Sequence, residues 1–134
     1  MSKKMTAEAI VAEHYAAGAA SDFAGMVKHF SPNIEWVESD GGAYAGTYFG
    51  LDSVITNIFS RINEEWDGFA AIPEVLIADE TKGIVAALCT YVGTFRATSK
   101  PQCVRVIHVW TVADDQIIKF EQVCDTAEQF KAMK

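Results

Sequence analysis

His108 is the residue best suited to acid–base chemistry, because it interrupts an otherwise apolar segment. In an extended strand over residues 102–112, successive side chains alternate between two faces. One of these faces carries Val104, Val106, His108, Trp110 and Val112. A buried imidazole loses free energy unless it finds a hydrogen-bond partner or a ligand. His108 is therefore either an acid, base or hydrogen-bond donor, or a core histidine satisfied by Gln122, Tyr15 or a backbone carbonyl.

Glu38 is the second candidate, a carboxylate at the end of the alternating segment that begins at Ile34. In a pocket, burial would raise its pKa towards neutrality and suit it to removing a proton beside a carbonyl group. The alternative is a solvated acid at a strand end, facing a glycine-rich loop. Asp40, two residues later in that loop, is a further candidate for the same task.

Several other polar or aromatic side chains can line a site. An O–H or N–H for a developing oxyanion is available from His14, Tyr15, Tyr44, Tyr48 and Tyr91. The alternative for each is ordinary packing with a hydrated polar tip. The larger aromatic side chains are expected in the core or in a pocket wall: Trp36, Phe59, Trp66 and Trp110.

The elements that must position these residues follow from hydrophobic periodicity. Helices are predicted from Thr6 to about Ala20, from an Asp22 cap through Phe30, from Leu51 to Trp66, and from an Asp125 or Thr126 cap through Met133. Strands are predicted at 34–38, 69–78, 84–96, 102–112 and 116–124, and 39–50 is predicted to be a loop. The order α-α-β-α-β-β-β-β plus a short C-terminal helix, with short connections between the late strands, predicts a single α+β domain with a curved antiparallel sheet.

The register of the last hairpin decides which side chains surround His108. An even turn around Asp114-Asp115 would place Ile117, Lys119 and Glu121 opposite the face that carries His108. A three-residue turn keeps apolar side chains opposite apolar ones, which is the usual determinant of register. We therefore expect His108 opposite Phe120, Trp110 opposite Ile118, and Gln122 diagonal to His108.

Composition narrows the function classes. The 134 residues are 50% hydrophobic and 22% charged, with a net charge of −7, which disfavours nucleic acid and anionic membranes as partners. The odd, widely spaced Cys89, Cys103 and Cys124 favour buried, reduced thiols in the cytoplasm. The sequence contains no CxxC or Cys/His cluster and no apolar run of membrane-spanning length, so neither a metal site nor a membrane span is expected.

Four stretches also share an order and spacing with a known family. They are 14–17, 22–38 with its Asp-Phe-Ala-Gly-Met-Val start and Trp-Val-Glu end, 46–54, and His108-Val109-Trp110 followed by Asp125-Thr126. Together they resemble the ketosteroid-isomerase-like (SnoaL-like) branch of the NTF2-like superfamily. The resemblance implies a cone-shaped domain whose sheet wraps around the N-terminal helices and encloses a pocket. This fold hosts isomerases, cyclases, hydrolases and non-enzymatic modules.

The resemblance also implies roles for particular residues. Glu38 falls on the general-base position of steroid isomerases. Their oxyanion-holding tyrosine corresponds to Tyr15 if one residue is dropped before Asp22, and to His14 without a gap. Strands 84–96 and 102–112 contain no acid to match the family's second, protonated carboxyl group.

These observations predict a protein that binds a small apolar or aromatic molecule without a cofactor. It would be an isomerase, cyclase or lyase in which Glu38 moves a proton while His108 and Tyr15 steady the ligand oxygen. The remaining ligand contacts would come from Trp36, Asp40, Tyr48, Phe59, Trp110, Phe120 and Gln122. The alternative is a non-catalytic binding or interaction module. A homodimer is expected through the outer sheet face that carries Ile107 and Val109, which is too apolar to stay hydrated.

Overall fold

A computed structural model describes residues 4–134, which form a mixed α+β domain built on one curved six-stranded sheet. The helices are α1 (Ala7–Ala19), α2 (Phe23–Val27), α3 (Leu51–Val54, a π-helical turn Ile55–Phe59, and Ser60–Glu65) and α4 (Thr126–Met133). The strands are β1 (Phe30–Glu38), β2 (Gly46–Phe49), β3 (Trp66–Asp79), β4 (Ile84–Phe95), β5 (Lys100–Ala113) and β6 (Gln116–Cys124). The predicted fold class is confirmed.

The sheet has the order β2-β1-β6-β5-β4-β3. The sequence predicts a wholly antiparallel sheet, and this part of the prediction is wrong. The strands β1 and β6 run parallel, with Trp36 beside Phe120. All other neighbouring pairs are antiparallel. Short loops enforce antiparallel pairing only between strands adjacent in sequence, whereas four strands and α3 separate β1 from β6. The parallel pair brings the end of β1, with Glu38, next to the middle of β6.

The region around β1 differs from the sequence prediction in two ways. Phe30 belongs to β1 and not to the second helix, and Pro32 lies inside the strand. The pairing of β1 with β6 is irregular between Phe30 and Glu35, which accommodates a residue without a backbone N–H. The predicted loop 39–50 also contains the edge strand β2. It has no alternating apolar pattern that could have revealed it, because all four of its residues remain at least partly accessible.

The third helix ends one residue earlier than predicted, at Glu65. Trp66 instead begins β3, where its buried indole N–H donates to the Tyr44 hydroxyl at 2.8 Å. The π-helical turn Ile55–Phe59 was not predicted, since it keeps the same apolar residues on the inner side. Such turns are frequent at functional sites, and this one faces the sheet.

The register predicted for the last hairpin is wrong. Asp114 and Asp115 both have positive φ and form a two-residue turn, the type that best matches strand twist. A bulge then shifts the pairing between Thr111 and Val112, and Ile118 becomes an exposed extra residue. His108 therefore lies opposite Gln122, and Trp110 lies opposite Phe120. The bulge restores the apolar face that the three-residue turn was expected to preserve.

The first helix covers the inner face of the sheet. Thr6 caps it by accepting from the Ala9 N–H at 3.1 Å, as predicted, and Ile10, Val11 and Tyr15 are buried against the strands. Asp125 likewise caps α4, accepting from the Glu128 N–H.

The outer face of the sheet is exposed in this chain. Ile107 is 44% and Val123 72% exposed. Cys103 is also exposed, so the prediction of a buried thiol is wrong at this position; its side chain lies on the outer side of β5, in alternation with the buried Gln102 and Val104. Within residues 4–134, no helix combines the length and the hydropathy needed to cross a bilayer.

Candidate functional site

A cavity of about 730 Å³ lies between α1, α3 and the inner face of the sheet. This volume is within the ~300–1,000 Å³ range of small-molecule sites. Most of the lining side chains are apolar, and among them are the predicted wall residues Trp36, Phe59, Trp110 and Phe120. Trp36 and Phe120 stack with their ring centroids 3.8 Å apart, which makes a rigid aromatic floor.

His108 lies at the centre of a buried hydrogen-bond network beside this cavity. Its Nδ1 is 2.6 Å from the Tyr15 hydroxyl of α1, and its Nε2 is 2.7 Å from the Tyr91 hydroxyl of β4. Trp110 Nε1 also donates to the Tyr15 oxygen at 2.9 Å. The cross-strand partner of His108 is Ala87, whose small side chain leaves room for α1 to approach the imidazole.

The network continues from Tyr91 to Glu38. The Tyr91 hydroxyl donates to Gln122 Oε1 at 2.7 Å, and Gln122 Nε2 donates to Glu38 Oε1 at 2.5 Å. The other carboxyl oxygen, Oε2, accepts from Trp36 Nε1 at 2.7 Å. Each oxygen of Glu38 therefore accepts one hydrogen bond from a buried side chain.

The direction of every proton in this network can be assigned by following the donors. Because the single Tyr91 hydrogen is donated to Gln122, the Tyr91 oxygen must accept from His108 Nε2–H. The neutral imidazole then has a bare Nδ1, which accepts from the Tyr15 hydroxyl. All donors thus point along one path, from Trp110 and Tyr15 through His108 and Tyr91 to the Glu38 carboxylate, and the hydroxyls and ring N–H groups are used inside it.

Burial shifts the pKa values of the two titratable groups Glu38 and His108 in opposite directions. Burial raises the pKa of Glu38 to about 7, although the hydrogen bonds from Trp36 and Gln122 act in the opposite direction. Burial, and secondarily the nearby His14, lowers the pKa of His108 to about 3, so its imidazole is neutral at physiological pH. Glu38 is then the group that exchanges protons near neutrality.

Two predicted ligand contacts lie outside the cavity. Asp40 is exposed in the loop after β1. The Tyr48 hydroxyl, on the edge strand β2, donates to the carbonyl oxygens of Tyr44 and Ala45. Loop acids remain hydrated unless something covers them, and β2 lies at the sheet edge, so neither residue joins the site.

Tyr91 is the member of the buried network that sequence reasoning undervalued. It was one of five hydroxyl or imidazole candidates with no position that favoured it, yet it joins His108 to Gln122. The alternation of residues in β4 could have indicated that Tyr91 faces inward, because Val85, Ala87 and Cys89 are buried on the same face. The cavity is also lined by His14. Within residues 4–134, no cluster of three or more His, Cys, Asp or Glu side chains has the arrangement to hold a metal ion.

The sheet order and the helices packed on the sheet match the NTF2-like fold. A crystal structure of an NTF2-like protein from Burkholderia thailandensis shares 40% identity with this chain, covers 97% of it and 98% of its own chain, and superposes with a TM-score of 0.91. An NTF2-like protein of unknown function from Burkholderia pseudomallei shares 23% identity over 96% and 97% of the two chains, with a TM-score of 0.85. TerC, co-crystallised with polyporic acid, shares 20% identity over 95% and 97%, with a TM-score of 0.83.

The family profile of the SnoaL-like domain matches residues 11–120. The chain therefore belongs to the SnoaL-like domain family, as the sequence resemblance had indicated. No curated protein has a sequence significantly similar to this chain.

Proposed function

We propose that this SnoaL-like protein binds a small, mainly apolar molecule in the cavity and moves a proton on a carbon next to a carbonyl group. This is the chemistry of a cofactor-independent isomerase, cyclase or lyase. The observation that carries the proposal is Glu38, a carboxylate only 6% exposed that lines an otherwise mostly apolar cavity and has a pKa raised to about 7. A base with that pKa removes and returns protons efficiently at neutral pH.

In the proposed reaction, Glu38 removes one proton from the ligand and returns it. The Glu38 carboxylate takes the proton from the carbon beside the ligand carbonyl, and the C–H electron pair moves into a C=C bond as the carbonyl becomes an enolate. The resulting carboxylic acid then returns the proton to the same carbon or to another carbon of the enolate system. Return to another carbon isomerises the ligand, and no external oxidant or reductant is required.

His108 and Tyr15 receive a different role from the one that the sequence suggested. Both were expected to steady the ligand oxygen, but their hydrogens are already donated within the network. We therefore assign them to positioning, because they fix Tyr91 and, through it, the orientation of Gln122. Gln122 in turn presents a donor to the Glu38 carboxylate.

Gln122 is the donor best placed to stabilise the enolate oxygen. Its amide nitrogen carries two hydrogens, and Glu38 is the only partner of that nitrogen among residues 4–134. Because Gln122 also lines the cavity, its second N–H is available to a ligand oxygen beside the carboxylate. A preorganised donor of this kind in a dry site stabilises an oxyanion strongly.

Hydrogen exchange on a carbon acid tests the proposal without knowledge of the natural substrate. The bicyclic ketone 2-tetralone in D₂O, above about pH 7 where Glu38 is ionised, reports α-deuteration by proton NMR. The wild-type protein should accelerate exchange over buffer, and Glu38→Gln should lose about 100-fold of that acceleration. Glu121→Gln, which neutralises an exposed acid of the same strand pair, should retain it. Equal rates in wild type and Glu38→Gln, or no acceleration by the wild type, would refute the proposal.

A non-catalytic binding module is the second candidate. It is favoured by Glu38 being the only acid among the described cavity-lining residues, so the site lacks the second carboxyl group of steroid isomerases. In that case 2-tetralone would bind wild type and Glu38→Gln alike, and neither protein would accelerate exchange of the α-hydrogens of 2-tetralone.

A further inference from the structure

His14 forms a second polar feature of the cavity, on α1 immediately before Tyr15. The side chain lines the cavity and is 7% exposed. Its ring stacks on Phe30 at a centroid distance of 5.5 Å and packs against Trp110 at 4.7 Å. The proton path to Glu38 does not include it, and the proposed proton transfer does not use it.

The hydrogen-bond partner of His14 determines which ring nitrogen is free. Nδ1 lies 2.9 Å from the carbonyl oxygen of Met26, and a carbonyl oxygen only accepts, so Nδ1 carries the hydrogen. Burial lowers the pKa of His14, which keeps the ring neutral. Nε2 therefore carries a bare lone pair.

That lone pair is open to the cavity. The only hydrogen bond that His14 makes among residues 4–134 is the one through Nδ1 to Met26. Within the same residues, no fully buried side-chain nitrogen or oxygen lacks a partner, so Nε2 is an accessible atom. Since the ring lines the cavity, the accessible space beside it is the ligand site.

This polarity is opposite to the one implied by the family position. Without a gap, His14 aligns with a tyrosine that donates a hydrogen bond to an oxyanion, whereas here the free atom is an acceptor. The acceptors that line the cavity thus include the Glu38 carboxylate and His14 Nε2, while the nearby Tyr15 and Tyr91 hydroxyls are already engaged.

We propose that His14 Nε2 accepts a hydrogen bond from a hydroxyl group of the ligand. Because Trp36, Phe59 and Phe120 give the cavity an aromatic wall, the ligand class is a hydroxylated ring compound. Since His14 and Glu38 line the same cavity, one ligand engages both, with its hydroxyl at His14 and a separate carbon at Glu38. The inference rests on the proposed use of this cavity, but it concerns recognition and not the proton transfer.

A pair of matched probes tests this inference. The planar compounds 2-naphthol and 2-methoxynaphthalene differ in that only the first donates a hydrogen bond. Calorimetric titration of the wild type should show about tenfold tighter binding of 2-naphthol, the value of one added hydrogen bond. His14→Phe, which keeps an aromatic ring, should bind both probes equally. Glu38→Gln and the control His29→Gln, whose ring pairs with Glu13 outside the cavity, should keep the preference.

Several results would overturn the inference. They are equal affinities in the wild type, binding of neither probe, a preference that survives His14→Phe, or a preference lost in Glu38→Gln, which would place the hydroxyl at the carboxylate. If His14→Phe does not fold, ¹⁵N NMR of the wild type decides. The His14 Nε2 resonance should have the position of an unprotonated nitrogen and should move with 2-naphthol but not with its methyl ether. If the resonance responds alike to both compounds, the proposal is overturned. Failure here leaves the 2-tetralone result intact, and failure of that exchange leaves this comparison intact.

Discussion

Gln122 donates to Glu38 across the only parallel strand pair among the described residues, with Nε2 and Oε1 2.5 Å apart. The same Gln122 lies directly opposite His108 on the other side of β6. One amide therefore links a buried imidazole on β5 to a buried carboxylate on β1. The protonation of Glu38 and the order of the buried network are coupled through this single side chain.

The raised pKa of Glu38 predicts a specific pH dependence of stability. The folded protein holds the proton up to about pH 7, whereas the unfolded chain releases it near 4.5. Stability that Glu38 contributes is therefore complete below about pH 4.5 and is lost as the pH rises through 7, by about 3 kcal/mol in total. His108, whose pKa is lowered to about 3, acts in the opposite sense, so the wild-type profile alone does not isolate Glu38.

The difference in unfolding free energy between wild type and Glu38→Gln does isolate the contribution of Glu38. In urea unfolding at about pH 5 and about pH 8, the stability of the wild type relative to Glu38→Gln should fall by about 2–3 kcal/mol as the pH rises. Glu121→Gln, at an exposed position, should show only a small change relative to the wild type. A difference between wild type and Glu38→Gln that does not change with pH would contradict the buried, near-neutral carboxyl group.

Tyr91→Phe should destabilise the protein far more than the loss of one hydroxyl at the surface. The variant leaves His108 Nε2–H and Gln122 Oε1 without partners in a dry environment, at a cost of about 3 kcal/mol. Tyr48→Phe is the matched control, because its hydroxyl only meets backbone carbonyls near the sheet edge, and it should cost less than about 1 kcal/mol. Thermal and urea unfolding compare the two variants, and equal costs would mean that the network does not hold Tyr91 as described.

Trp36→Phe should raise the pKa of Glu38 further. The variant keeps an aromatic ring over Phe120 but removes the indole N–H that stabilises the charged carboxylate. The pH at which 2-tetralone exchange reaches half its maximum should therefore move to higher values. Trp66→Phe removes a buried indole N–H that donates to Tyr44 and not to Glu38, so the pH midpoint of its exchange should match that of the wild type. A shift in Trp66→Phe equal to that in Trp36→Phe would show a general effect of destabilisation.

The homodimer expected from the apolar outer sheet face stays a prediction. Ile107 and Val123 lie beside each other on β5 and β6 and are 44% and 72% exposed. Light scattering behind size exclusion should give a dimer mass for the wild type, and Val123→Lys should lower it by placing a charge in the contact. The same substitution should leave 2-tetralone exchange unchanged, and a monomeric wild type would refute the expectation.

The sequence was sufficient for the parts of the fold that depend on local pattern. The face of β5 that carries His108 and Trp110, the Thr6 and Asp125 caps, and the placement of Glu38 at the end of β1 all follow from periodicity and capping chemistry. The family resemblance added the enclosed architecture, which periodicity alone does not specify.

The parts that failed depend on contacts between residues distant in the chain. The parallel pairing of β1 with β6 and the bulge at Ile118 arise from sheet assembly and leave little trace in either segment. The direction of the hydrogen bonds could not be predicted for the same reason, because it depends on the Tyr91 hydroxyl being hydrogen-bonded to both His108 and Gln122. The sequence singled out Tyr15 and His108, and both lie in the buried network, but their hydrogens could be assigned only from the complete network.

The acidity of Glu38 is the property on which the proposed chemistry depends, and it can be measured directly. A ¹³C NMR titration of protein labelled at the glutamate side-chain carboxyl carbon, with Glu38→Gln to assign the resonance, follows this group alone. We predict a midpoint at about pH 7, set by burial and by the donors Trp36 and Gln122. A midpoint near 4.5, the ordinary value for glutamate, would show a hydrated carboxylate and would contradict the account.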